Sequence, residues 1–281
     1  MKTFVQSRGH SPDFEYCWQP EVPPQLSNIS SLIQSESPSI VLARFDSKLM
    51  LLVTGLESPE KKDFRERPIR HSVVWVCDED YDNEMQIRAI ATKFLRGVLV
   101  NQVDNCIQLG GENGFEVSTL EIEALGLLSV KGEDIECLPL PSLDLRSKIG
   151  KNSQKLRDDL AYTLQRHSLP KKTTILIVAT GVKSEQSLEE IDAWRSLSKL
   201  VKSDSWRDLD RREVEKTSFF GLAIAMTVAV IVVAALILLV VLHPFTPKPV
   251  EVIPSPIPTT SPTNQTMKET PQILQKKAFS N

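Results

Sequence analysis

The stretch SIVLARFDSKLMLLVTGL, residues 39–56, decides how the chain folds. Two apolar runs, Ser39 to Phe45 and Lys48 to Leu56, are rich in Val, Leu and Ile. Asp46 and Ser47 interrupt them, which predicts a β-hairpin or two adjacent strands. A third run, Ser72 to Cys77, is too short and too β-branched to prefer helix. After the acidic segment 78–84, residues Glu84 to Arg96 place Met85, Ile87, Ile90, Ala91, Phe94 and Leu95 at helical spacing, and Gly97 closes the pattern. The local order is strand, turn, helix.

Downstream the same alternation returns. A helix is expected from about Leu143 to His167, with Leu156, Leu160 and Leu164 on one stripe and Pro170 as a stop. Thr173 to Thr180 reads as a strand apolar enough to be covered on both faces. Ser187 to Val201 reads as a helix that turns Leu188, Ile191, Leu197 and Leu200 inward. Strands alternating with helices point to a soluble α/β domain over residues 1–201, as one unit or two subdomains. Between Val98 and Pro141 the glycine-rich segment 110–114 breaks the pattern. Thr119 to Leu128 there suits either a helix or a partner-facing segment.

Beyond this domain the composition changes. Residues 202–218 read as a juxtamembrane linker, and Phe219 to Leu242 carries no charge over a length sufficient to span a bilayer as one transmembrane helix. Lys202, Arg207, Arg211, Arg212 and Lys216 precede that segment, whereas Lys248 is the nearest cation after it. The expected orientation is a cytoplasmic N-terminus at the cell membrane and an external C-terminus. Gly221, Ala225 and Ala229 share one face and suggest a homodimer contact within the bilayer. Residues 243–281, proline-rich, are expected to be disordered.

Charge and cysteine content exclude several functions. The formal net charge of the chain is −3, and about −5 of charge falls within residues 1–217, opposite to a nucleic-acid footprint. The four cysteines, Cys17, Cys77, Cys106 and Cys137, form no CxxC pair and read as reduced thiols. Residues 1–8 turn polar too early for a secretory signal core. Asp78, Asp80 and Asp82 are the candidate metal ligands, although Asn83 and Ala89 stand where a calcium loop needs Gly and Glu. Their alternative role is to cap and charge the following helix. The loop from Glu57 to His71 concentrates Lys61, Lys62, Arg65, Arg67 and Arg70 and suits an anion site or a solvated loop of mixed charge. His71 and Cys77 stand about 20 Å apart along one strand, too far for a catalytic dyad. Trp194, Arg195 and Trp206 are candidate partner anchors.

At residues 4–9 (FVQSRG), 72–76 (SVVWV) and 193–198 (AWRSLS), the chain resembles a group of uncharacterised membrane-anchored bacterial proteins of cyanobacterial type. That resemblance implies a bacterial plasma-membrane setting and supplies no catalytic residues. The leading functional expectation is a membrane-anchored adaptor or regulator that recruits or senses a cytoplasmic protein partner. A tethered enzyme or nucleotide-responsive effector, with its site near residues 78–84, is the alternative, and no cofactor is indicated.

Overall fold

A computed structural model describes residues 1–33, 36–132 and 135–209, and the compact unit they belong to runs from Met1 to Arg212. The two apolar runs form a hairpin. Strands β3 (Ser39–Phe45) and β4 (Lys48–Lys62) pair antiparallel in the register Ile40 to Val53 through Phe45 to Lys48. Asp46 and Ser47 both adopt positive φ at the turn. β4 then pairs with β5 (Pro68–Asp78), and β5 pairs with the N-terminal strand β1 (Lys2–Ser7), which is followed by the edge strand β2 (Cys17–Gln19).

The other half of the sheet is parallel. β8 (Lys148–Lys151), β9 (Ile175–Thr180) and β10 (Arg195–Ser198) run the same way, with β10 between its partners. β11 (Arg207–Asp208) closes that edge antiparallel to β8, so the order across the nine strands is β11-β8-β10-β9-β3-β4-β5-β1-β2. A separate two-stranded sheet joins β6 (Ile107–Leu109) to β7 (Phe115–Val117).

Alternation along the central strands sends side chains into two cores, because successive residues of a strand face opposite sides. Ile40, Leu42, Leu51, Val53 and Trp75 pack beneath α2 (Tyr81–Leu95), α3 (Leu99–Asn105), α4 (Thr119–Gly132) and α5 (Gln154–Arg166). Val41, Ala43, Met50, Leu52 and Val74 pack on the opposite face with Ile29 of α1 (Leu26–Ser30) and Leu188 of α6 (Glu185–Ile191). Arg88 of α2 is fully buried and donates to the carbonyls of His167 at 2.5 Å and Glu136 at 2.8 Å, which fastens both the C-terminal end of α5 and the segment around Glu136 to α2.

Two expected helices are corrected. The stretch 143–167 begins with a 3-10 turn (Ser142–Leu145), forms β8, and becomes helical only after Ser153, whose hydroxyl caps α5. Gly150 lets Leu156 of α5 pack directly on this strand, since a Cβ there would come within 2.5 Å of Leu156 Cδ1. The stretch 187–201 is helix only to Ile191. Asp192 turns left-handed, and Arg195–Ser198 extend into the slot between β8 and β9, where both strands supply backbone partners. Leu197 is therefore buried through the sheet, whereas Leu200 is exposed.

The transmembrane part of the expected fold is corrected as well. Among the described residues no helix is long and apolar enough to cross a membrane. Their apolar runs are central strands, with backbone groups paired in the sheet and side chains in the two cores. The segment Phe219–Leu242, its Gly221, Ala225 and Ala229 face, and residues 243–281 lie outside the described residues. The fold class is a mixed α/β domain dominated by one large sheet. The single-pass, membrane-located description, with its assigned sidedness, is withdrawn. The linker expectation changes too, since Arg207 and Asp208 belong to the sheet.

Gly55 offers a test of the sheet. It sits at φ +70 within an irregularity of the β4–β5 register, and a Cβ would lie 2.4 Å from the Ser37 main-chain carbon. Gly55→Ala is expected to cost about 2 to 3 kcal/mol in urea unfolding, above the cost of a positive-φ substitution with free space around it.

Candidate functional site

The hairpin β4–β5 runs well past the body of the sheet, and its far end meets the loop between β1 and β2. Beneath this end lies a chain of buried polar groups. Ser7 Oγ is 2.9 Å from His71 Nδ1, and His71 Nε2 is 3.0 Å from Asp104 Oδ1. Lys61 Nζ donates to Asp104 Oδ2 at 2.8 Å and to the Asp104 carbonyl at 2.8 Å. Ser7 and His71 have no exposed surface, and Asp104 is almost fully buried at the end of α3.

The protonation states follow from this geometry. Burial alone would raise the Asp104 pKa, but hydrogen bonds from Lys61, Ser58 and His71 outweigh it and hold the carboxyl below its ordinary range. Burial is also the main influence on His71 and pushes its pKa down, against the pull of Asp104 and with the help of the Lys61 charge. His71 is thus a neutral imidazole that donates from Nε2 to the carboxylate and accepts from the Ser7 hydroxyl at Nδ1. Serine, imidazole and carboxylate here have the connectivity of a nucleophile relay. A substrate carbonyl cannot approach a hydroxyl with no exposed surface, so the set acts as a structural tie between β1, β5, β4 and α3.

Above the tie, the surface is cationic and aromatic. Arg8 follows Ser7, and its guanidinium carbon lies 5.6 Å from the Tyr16 ring centre and 5.8 Å from that of Phe64. Arg65 stacks on the same Phe64 at 5.0 Å. Arg8 Nε is buried and has no hydrogen-bond partner. Tyr16 is fixed because its hydroxyl accepts the Arg70 N–H at 3.1 Å. Asp63 shapes the turn beneath Phe64 and Arg65. Its carboxylate accepts the backbone N–H groups of Arg65 and Arg67 at 2.8 and 3.1 Å and pairs with the Arg67 side chain at 2.6 Å. The Arg67 hydrogen bond leads these contacts in holding the Asp63 pKa at about 2.

The cations of the 57–71 loop therefore divide into two sets. Lys61 is committed to Asp104, Lys62 to Glu66, Arg67 to Asp63 and Arg70 to Glu57. Among the described residues, Arg8 and Arg65 have aromatic partners and no carboxylate.

The candidate metal ligands stand elsewhere. Asp80 caps α2 by accepting the Asn83 N–H at 2.8 Å, Asp78 lies 3.4 Å from Lys48 Nζ, and Asp82 sits in the first turn of α2. Among the described residues no group of three or more His, Cys, Asp or Glu side chains is placed to hold a metal ion. Trp194 and Arg195 are buried, not partner-facing. The indole donates to the Asp144 carbonyl at 2.6 Å, and Arg195 stacks on that ring at 4.3 Å. A cavity of about 580 Å³ opens at the start of β9, but its Arg146 is paired to Asp208 at 2.8 Å, and it lies at the edge opposite the usual ligand end of parallel strands.

Comparison with known protein families, curated proteins and solved structures finds no match to this chain. The resemblance to proteins of cyanobacterial type consequently contributes no site residue. Sequence reading located the cationic loop but missed Ser7 and Asp104, which lie 64 and 33 positions from His71.

Two outcomes test the tie. Asp104→Asn strands Lys61 and His71 and is expected to cost about 3 kcal/mol. The native His71 pKa lies below its unfolded value of about 6.5, so the unfolded chain takes up the proton first and stability falls as pH drops below that value. Melting temperatures between pH 8 and 5 should show this fall in the native protein and a shallower one in His71→Gln.

Proposed function

We propose that this protein is a non-enzymatic adaptor or regulator, and that its hairpin-end surface docks an acidic segment of a protein partner. One observation carries the reading: Arg8 is held against two aromatic rings, beside Arg65 on the same Phe64, with neither guanidinium spent on a carboxylate. Arg and aromatic side chains are the groups that most often concentrate binding energy at interfaces. A guanidinium already stacked loses less side-chain entropy on pairing with a carboxylate than a free one.

The neighbouring ion pairs favour the same use. Asp63, Glu57 and Glu66 neutralise the adjacent cations, which leaves a small, defined site instead of a diffuse positive field. That pattern favours a short carboxylate-bearing segment over a long polyanion, for which a continuous basic stripe is the expected footprint.

Fluorescence anisotropy with a labelled peptide rich in Asp and Glu provides the test. Binding should saturate, weaken as salt rises, and fall at least about tenfold, or about 1.4 kcal/mol, in the double variant Arg8→Ala, Arg65→Ala. Arg207→Ala, which removes a cation paired to Glu185 and Glu189 on α6, should leave it unchanged. Equal binding by the native protein and the double variant would overturn the assignment.

A further inference from the structure

Helix α4 is apolar on two sides. Ile122 and Leu125 are buried against the helix layer, as any amphipathic helix requires. On the outside, Leu120 is 82% exposed, Leu127 57% and Leu128 55%. At 100° per residue, Leu120, Ala124, Leu127, Leu128 and Lys131 fall within an arc of about 100°, so the exposed leucines form one continuous stripe. Glu121 and Glu123 flank its N-terminal half, and Lys131 occupies its C-terminal end. Beside the first turn a cavity of about 410 Å³ opens, with Phe4, Val5, Pro20, Val117 and Ile122 among its lining residues.

We infer that α4 is the contact by which two copies of this chain associate, packed antiparallel about a two-fold axis at Ala124. The stripe is complementary to itself in that arrangement. Leu120 of each copy meets Leu128 of the other, and the small Ala124 lets the axes approach at the crossing. The acidic first turn of each helix lies alongside the Lys131-bearing last turn of its counterpart, and opposed helix dipoles favour the same orientation. The cavity lined by Thr119, Ile122 and Glu123 lies on another side of the helix and takes no part in this contact. A parallel arrangement would instead set Glu121 and Glu123 against their own copies.

A 14-residue helix is about 21 Å long, and the contact it makes is smaller than a standard stable interface of about 800 Å² per partner. The dimer is therefore reversible and concentration-dependent. This surface is separate from the hairpin end, so the two assignments stand or fall independently.

Cross-linking of the full chain tests the inference at the axis itself. With Cys17 and Cys137 changed to serine, Ala124→Cys should be joined to its copy by a short bis-maleimide, while the same background without Ala124→Cys should not. Leu127→Glu with Leu128→Glu alters exposed positions only, so the melting temperature should hold while cross-linking falls at least fivefold. Lys131→Glu should weaken the cross-link, and adding Glu121→Lys with Glu123→Lys should restore it. Absence of a cross-link at position 124, including in a chain that sediments as a dimer, would overturn the proposal. Cross-linking that survives the double leucine variant would overturn it equally.

Discussion

The carboxylate of Asp104, shared between His71 and Lys61, is the contact on which the candidate site depends. One oxygen takes the imidazole N–H and the other the ammonium, and through them the end of α3 is joined to β5 and to the far part of β4. Ser7 extends the tie to β1, so Arg8, whose half-buried guanidinium stacks on Tyr16 and Phe64, is adjacent to a fully buried anchor. An unpaired charge in this position would be strongly destabilising, which makes the set an all-or-none element of the fold. Asp63 performs a related task at the surface by organising the turn that presents Phe64 and Arg65.

The two halves of the sheet are held together by different means. β3 and β9 meet antiparallel at the boundary between the hairpin-built half and the parallel trio. Arg44 spans this boundary, pairing with Glu79 and donating to the carbonyls of Pro170 and Thr173. The antiparallel half has short connections that end in exposed tips, and the cationic surface is built at one of them. The parallel half requires helical crossovers, and these complete the two layers that cover the cores.

Elements with a strong local signal were legible in the sequence. The β3–β4 hairpin is declared by two branched apolar runs around Asp46 and Ser47, and α2 by apolar spacing and its Asp80 cap. β9 is a continuous apolar run. β10 was hidden because the stretch AWRSLS, residues 193–198, continues the apolar spacing of the preceding helix, and only two flanking strands supply the pairing that makes it extended. β8 was hidden behind the strong stripe of α5. The polar tie was invisible for a different reason, since its members come from three distant parts of the chain. Lys61, Arg65 and Arg70 stood out as cations, but charge counts alone do not distinguish a guanidinium stacked on Phe64 from one neutralised by Glu57. Thr119 to Leu128 suits either a helix or a partner-facing segment from sequence, and the structure makes it helical with exposed leucines.

The proposed docking of an acidic partner rests on two anchors: the buried tie holds Arg8 through Ser7, and the Asp63 turn holds Arg65. Side-chain ¹⁵N spectra of the arginine Nε and histidine ring groups, recorded while an Asp- and Glu-rich peptide is added, address it most directly. The account predicts that Arg8 and Arg65 signals shift progressively and saturate, while His71 keeps its Nε2–H tautomer throughout. Unchanged Arg8 and Arg65 signals, or a His71 ring that switches tautomer or becomes doubly protonated on peptide addition, would contradict it.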